Sequence, residues 1–162
     1  MDALDAWSEF HVAMVGATAA LAGLVIVASS VNIAEIIKST TITSRLGAGI
    51  AGLALAIVVG GISLVPDISA LWYGVVVLVS TAGAGAFAVH AVLVIMRDSD
   101  PRVQAPVLKS VLAVLPVAAY AAAGVAAFVD PETALVLAAV GCIIAIVAAI
   151  VVSWVALVEV LR

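Results

Sequence analysis

Five long apolar runs make up most of the chain, and a short polar segment separates each run from the next. They cover about residues 10–37, 46–65, 70–96, 107–129 and 134–161. An α-helix rises about 1.5 Å per residue, so about 20 apolar residues cross the roughly 30 Å hydrocarbon core of a bilayer. The pattern therefore predicts an all-α fold, an integral membrane bundle of five transmembrane helices that forms a single transmembrane domain over residues 1–162.

All of the Lys and Arg residues lie at one kind of connecting segment, and none lies at the other. The basic residues follow the first and third runs or close the chain: Lys38, Arg45, Arg97, Arg102, Lys109 and Arg162. The remaining segments carry acidic residues: Asp2, Asp5, Glu9, Asp67, Asp130 and Glu132. Because short basic loops stay in the cytoplasm, this separation predicts an N-terminus outside and a cytoplasmic C-terminus. Four spans, with one run buried or re-entrant, would mix the two groups, and five spans are therefore preferred.

Composition supports a membrane environment. The chain is 67% hydrophobic and 10% charged, whereas about a quarter of the residues of a soluble domain are charged. No basic cluster is dense enough for nucleic acid. The first nine residues lack the basic region of a signal peptide, so we expect the first run to be a retained helix. Asp130, Pro131 and Glu132 form the N-cap, first position and acidic first turn of the last helix.

Small residues recur along two of the predicted spans. The second span carries Ala48, Gly52, Ala56 and Gly60 at four-residue steps, and the first carries Gly16 and Gly23 at a seven-residue step. Transmembrane helices associate where small side chains let their backbones approach closely. We expect these faces to be packing interfaces and the protein to form a homo-oligomer, although all of them could instead be used within one subunit. Pro116 predicts a kink in the fourth span, either a hinge or a simple packing feature.

One group of polar residues is a candidate for binding or conduction. Ser29, Asn32 and Glu35 follow one another at three-residue steps in the first span, and His90 lies at a similar depth in the third. Ionisable groups inside a membrane are often functional, so the group could line an ion or proton path. The alternative is a structural hydrogen bond between the two spans.

Other candidate residues suggest little chemistry. We expect His11 to lie solvated at the outer boundary, Lys109 and Glu159 to extend to the inner boundary, and Cys142 to be a buried packing residue. Neither a phosphate-binding loop nor a paired intramembrane acid is present, and no serine has a base nearby. We therefore expect no catalytic residues, no metal site and no cofactor, so that the protein is not an enzyme.

The first span resembles the first helix of a group of small integral membrane proteins common in actinobacteria, some of them named modulators of the FtsH protease. The resemblance rests on residues within the stretch 10–33: Gly16, Ala17, Ala20, Leu21, Gly23, Leu24, Val27, Ala28, Ser30 and Asn32. It implies a helical, multi-pass protein of the bacterial plasma (inner) membrane, and no functional residue is carried over from it.

These observations lead to two functional expectations. The first is a non-enzymatic, self-associating scaffold, accessory subunit or modulator of a larger membrane complex. Its partners are the lipid bilayer, further copies of itself and that complex. The second is a small oligomeric ion or proton channel or transporter, against which the odd number of spans argues, because inverted repeats need two equal halves.

Overall fold

The structure, a computed structural model, describes residues 6–97 and 106–160, which form six helices. In chain order they are α1 (Ser8–Val31), α2 (Ile33–Ile36), α3 (Thr40–Ser63), α4 (Ala70–Arg97), α5 (Pro106–Ala126) and α6 (Pro131–Val160). Five of them, all except α2, are long and apolar enough to cross a membrane. The prediction of an all-α fold with five membrane-spanning helices is therefore confirmed.

The first predicted span is interrupted at Asn32, between α1 and α2. Three polar side chains just before the break bond back to the carbonyls of the preceding turn: Ser29 to Val25, Ser30 to Ile26 and Asn32 to Ala28. Such bonds compete with the regular helical pattern and bend helices. Two residues of the proposed site, Ser29 and Asn32, thus lie where α1 ends.

The second span begins earlier than hydropathy predicts. Helix α3 starts at Thr40, within the segment expected to be a polar loop. Ser39 caps it by accepting a 3.3 Å hydrogen bond from the backbone N–H of Ile42. The hydroxyls of Thr43 and Ser44 donate to carbonyls one turn earlier, so polar residues are accommodated in helix. One consequence is that Arg45 lies inside α3.

Two short loops join the remaining long helices at the opposite end of the bundle. Between α3 and α4, Asp67 has a left-handed backbone, with φ of 55°, and Ser69 accepts from Trp72 N at 3.4 Å. Before α6, Asp130 accepts from Glu132 N at 3.2 Å and from the Thr133 hydroxyl at 2.6 Å. The predicted N-cap at Asp130 is therefore confirmed.

Four of the long helices form a closed bundle, and α1 lies outside it. Helix α3 packs against α4 and α6, and α5 packs against the same two helices from the other side; α1 packs mainly against α3. Half of the apolar stretch of α3 is buried, against 11% of that of α1. Most of the surface of α1 therefore faces outward.

Close approach of helices depends on glycine at two places. A Cβ atom added to Gly60 of α3 would lie 2.6 Å from Val15 Cγ2 of α1, and one added to Gly124 of α5 would lie 2.8 Å from Leu78 of α4. The other small residues of the α3 stripe, Ala48, Gly52 and Ala56, are also buried. The whole stripe thus lies inside the subunit, where α3 meets its neighbours.

Candidate functional site

The residues of the predicted polar group make their hydrogen bonds within their own segments. Ser29 Oγ donates to Val25 O at 2.7 Å and Asn32 Nδ2 to Ala28 O at 3.2 Å. Glu35 pairs with Lys38 at 2.6 Å, and both side chains are more than half exposed. An ion pair so exposed contributes little to stability.

His90 does not join this group within one subunit. It lies on α4, which packs against α3 and α5, whereas α1 covers a different side of α3. In the described part of the chain no hydrogen bond links His90 to Asn32 or Ser29, and the His90 side chain is exposed. A contact between these residues therefore requires two subunits.

The surface around His90 is formed by small residues and is exposed. Gly83 and Ala86 precede it by two turns and one turn of α4, and both are exposed. No neighbouring atom lies within 4 Å of a Cβ built on Gly83. Ionisable side chains in membrane helices almost always face protein or water rather than lipid. The face formed by Gly83, Ala86 and His90, here called the α4 face, is thus suited to another helix.

Helix α1 presents a similar surface. Its buried residues are His11, Thr18 and Val25, at seven-residue steps. Gly16, Gly23 and Ser30 repeat at the same interval and are exposed. At 100° per residue this second stripe, here called the α1 face, lies about 140° around the helix from the buried one. Neither Gly16 nor Gly23 has a neighbour within 4 Å of a built Cβ, so these glycines serve no packing contact within the subunit.

His11 is buried, contrary to the expected solvated position. It is 3% exposed, and within the described residues its Nε2 atom has no hydrogen-bond partner. Its ring lies 5.7 Å from that of Phe10 and 6.4 Å from that of Trp7, measured between centroids. The prediction was wrong because His11 falls on the stripe of α1 that contacts α3, which the sequence does not identify.

Three charged side chains meet at the end of the bundle where α3 and α5 begin and α6 ends. Arg45 Nη1 bonds to Glu159 Oε2 at 2.8 Å, and Lys109 Nζ bonds to Glu159 Oε1 at 3.0 Å. The Arg45 side chain is 4% exposed, that of Lys109 14% and that of Glu159 34%. We call Arg45, Lys109 and Glu159 the charged triad.

The charged triad was not predicted from the sequence. Arg45 was expected in a loop, and Lys109 and Glu159 were expected to extend separately to the inner boundary. The available signal was that all three lie at the same predicted depth on three different spans. Because two of them are basic, Glu159 remains between two cations and Arg45 gains a partner that permits its burial.

A narrow crevice runs from the charged triad into the bundle between α3, α5 and α6. Its volume is about 20 Å³. Most of the residues in its apolar walls are glycine or alanine, and the whole set is Ala48, Gly49, Gly52, Leu112, Ala113, Pro116, Ala145, Ala148 and Val152. Gly52 is buried, yet nothing lies within 4 Å of a Cβ built on it. The missing side chain at this position leaves part of the crevice open.

Pro116 lies within α5 and contributes to the crevice wall. Proline has no backbone N–H, so it cannot bond to the carbonyl of Leu112, which also lines the crevice. The residue at which a kink was predicted in the fourth span therefore lies in the wall of the crevice.

The described ranges contain no cluster of metal-ligating residues. Among residues 6–97 and 106–160, no three His, Cys, Asp or Glu side chains are grouped so as to hold a metal ion. Cys142 is buried and unpaired in α6. Comparison of the chain with protein-family models, with curated proteins and with solved structures gave no match in any of the three.

Proposed function

We propose that this chain is a non-enzymatic membrane protein that self-associates through its α1 and α4 faces. As such it serves as a scaffold, accessory subunit or modulator of a larger membrane complex. The observation that carries the proposal is the open space at Gly16, Gly23 and Gly83. Glycine is unfavourable in a helix interior unless a close contact compensates for it, and one subunit supplies no such contact at these positions.

The two faces match in register. Gly23 and Ser30 precede Lys38 by 15 and 8 residues (38 − 23 and 38 − 30), and Gly83 and His90 precede Arg97 by 14 and 7 (97 − 83 and 97 − 90). Because one long antiparallel helix, α3, lies between α1 and α4 in the chain, α1 and α4 run in the same direction. A parallel contact therefore brings glycine to glycine and Ser30 to His90.

This contact joins different surfaces of the two copies, since α1 of one subunit meets α4 of the next. Such head-to-tail contacts generate closed rings when the rotation closes. The charge pattern supports insertion with the C-terminus in the cytoplasm, and the resemblance of the first span supports the plasma membrane of a bacterium as the location. In that orientation the charged triad lies at the cytoplasmic end.

A cross-linking experiment tests the contact directly. Chains carrying Ser30→Cys and chains carrying His90→Cys, both with Cys142→Ala, are mixed and oxidised in a bilayer. We expect disulfide-linked heterodimers from the mixture and few dimers from either chain alone. Val111→Cys, at an exposed position on α5, replaces His90→Cys in the matched control. Equal cross-linking with the control partner would contradict the proposed contact.

Bulky substitutions test the same contact by assembly size. Gly23→Leu or Gly83→Leu should lower the subunit number counted by single-molecule photobleaching, because leucine holds the helices apart. Ala118→Leu changes an equally exposed small residue of α5 and should leave the count unchanged. If none of the three variants changes the count, self-association does not use these faces.

A channel is the second candidate, and the exposure of His90 on the lipid-facing surface favours it. Between subunits, Ser30 would lie beside His90, and the two polar side chains could line a path. Proton flux into liposomes that is lost in His90→Leu, with the subunit number unchanged, would establish this function. Absence of flux from correctly assembled protein supports the scaffold.

A further inference from the structure

We infer that the crevice beside the charged triad binds one phosphate group carrying a single negative charge, from an anionic phospholipid headgroup or from free phosphate. The binding group is Arg45, with Lys109 at the mouth. Neither the self-association contact nor the resemblance involves these residues.

The first reason is an unpaired donor. Arg45 lines the crevice with its side chain 4% exposed. One of its terminal nitrogens is bound to Glu159, but in the described part of the chain its buried Nε atom has no hydrogen-bond partner. Guanidinium carries five N–H donors and no acceptor, so the remaining ones need acceptor atoms, such as the oxygens of a phosphate group. Arginine matches the oxygens of phosphate particularly well.

The second reason is charge. Among the described residues of the charged triad, two cations face one carboxylate, which leaves one positive charge in a largely buried place. Both Glu159 oxygens are already engaged, Oε2 by Arg45 and Oε1 by Lys109. A buried charge without a partner is costly. One further anion would balance the site.

The third reason is size and position. A volume of about 20 Å³ holds roughly one water-sized atom. One phosphate oxygen can therefore enter beside Arg45, while the rest of the group stays at the mouth near Lys109. Nearby on α6, Trp154 is 70% exposed, as expected for an aromatic residue at headgroup depth.

The experiment compares bilayers and variants. Full-length protein is placed in nanodiscs of phosphatidylcholine alone or with phosphatidylglycerol, and retained lipid is counted by native mass spectrometry. In a second arm, inorganic phosphate is titrated at constant ionic strength into the phosphatidylcholine sample. Its effect on the melting temperature is followed through the reactivity of the buried Cys142 thiol. The variants are Arg45→Met and Lys109→Met, with Lys38→Met as the control because Lys38 is an exposed cation paired to Glu35 at the same end.

We expect wild-type protein and Lys38→Met to retain one phosphatidylglycerol per chain, or to melt higher in phosphate. Arg45→Met should bind at least about tenfold more weakly, as expected for the loss of a hydrogen bond to a charged group. Retention of phosphatidylglycerol without a phosphate effect identifies a lipid site, and the reverse identifies a free-anion site. If Arg45→Met fails to protect Cys142 and is therefore unfolded, the binding of phosphatidylglycerol and phosphate by Lys109→Met is the test of the inference.

Two results would overturn the inference. One is the absence of any preference for phosphatidylglycerol together with the absence of a phosphate effect, because a site that requires a net negative charge would show at least one of the two. The other is binding that persists unchanged when Arg45 or Lys109 is replaced in a folded protein, which places the anion elsewhere.

Discussion

Attachment of α1 to the bundle depends on the absence of one methyl group at Gly60. We predict that Gly60→Ala weakens this attachment, whereas Gly61→Ala, the neighbouring position in the same helix, does not. A Cβ at Gly60 would lie 2.6 Å from Val15 Cγ2, but nothing lies within 4 Å of one at Gly61. The two substitutions therefore differ only in the contact with α1.

The expected magnitude follows from two opposing effects. Replacing glycine by alanine in a helix interior stabilises it by about 0.8–1.0 kcal/mol, and this applies to both variants. At Gly60 the new methyl group is also roughly 1 Å closer to Val15 than ordinary contact distance. Overpacking of this kind costs about 1–3 kcal/mol, and Val15 has little freedom to rotate away because its side chain is β-branched. We expect Gly60→Ala to be less stable than Gly61→Ala by about 1–3 kcal/mol.

Unfolding can be followed through the thiol of Cys142, the single cysteine of the chain. It is buried in the main core, against which Met14 of α1 and Trp7, the residue before α1, also pack, so loss of α1 lowers the stability that the thiol reports. Labelling with a fluorogenic maleimide during an SDS titration gives the free energy of unfolding for each variant. In a Val15→Ala background, where Cγ2 is absent, Gly60→Ala should behave like Gly61→Ala. Equal stabilities of Gly60→Ala and Gly61→Ala in the wild-type background would refute the proposed close contact.

Three further predictions concern charged and polar groups. Glu159→Gln should lower the free energy of unfolding by about 2 kcal/mol, which is less than the roughly 3–5 kcal/mol of a wholly buried pair because Glu159 is partly exposed. Glu35→Gln removes an exposed pair and should lower it by less than about 1 kcal/mol. Equal losses in the two variants would contradict this reasoning. The Thr133 hydroxyl holds the pKa of Asp130 below its ordinary value. The contribution of ionised Asp130 to stability is therefore complete above the pKa of this residue in the unfolded chain, and it is lost as pH falls through its lower pKa in the folded protein. Asp130→Asn should remove this acid-dependent drop in melting temperature between about pH 4 and 2, and an unchanged pH profile would contradict it. His11→Leu should leave the melting temperature equal or higher, because it removes a buried nitrogen that lacks a partner; a clear decrease would indicate that this nitrogen is bonded.

The prediction of five spans succeeded because crossing a membrane is a property of single helices. In lipid, each span must satisfy its own backbone hydrogen bonds and present apolar side chains along its length. Both requirements can be checked by reading the chain locally. The cap at Asp130 was predictable for the same reason, since its partners are two and three residues away.

The predicted helix boundaries differ from the structure at polar residues, which are compatible with either a helix or a loop. Residues 40–45 are polar, and hydropathy assigns them to a loop, but hydroxyl groups that bond back one turn allow α3 to include them. At Asn32 similar bonds accompany the end of α1. Local composition does not distinguish these two outcomes.

The neighbours of each helix were determined only by tertiary structure. Depth along the membrane normal can be estimated from the sequence, and that estimate places Ser29, Asn32 and His90 at comparable levels. It does not indicate which helices are adjacent, and the bundle places α1 and α4 on different sides of α3. The same adjacency buries His11 against α3.

Sequence alone thus determined the number and membrane character of the long helices, because hydropathy and local capping act within a segment. The bundle decided which of their faces are buried. It brought Arg45, Lys109 and Glu159 from three helices to one point and left Gly16, Gly23 and His90 outside. Lipid is as apolar as most of these side chains, so burial of apolar surface gives little preference for one neighbour over another. The pairing of helices instead depends on shape and on a few polar contacts, which arise only when distant segments meet.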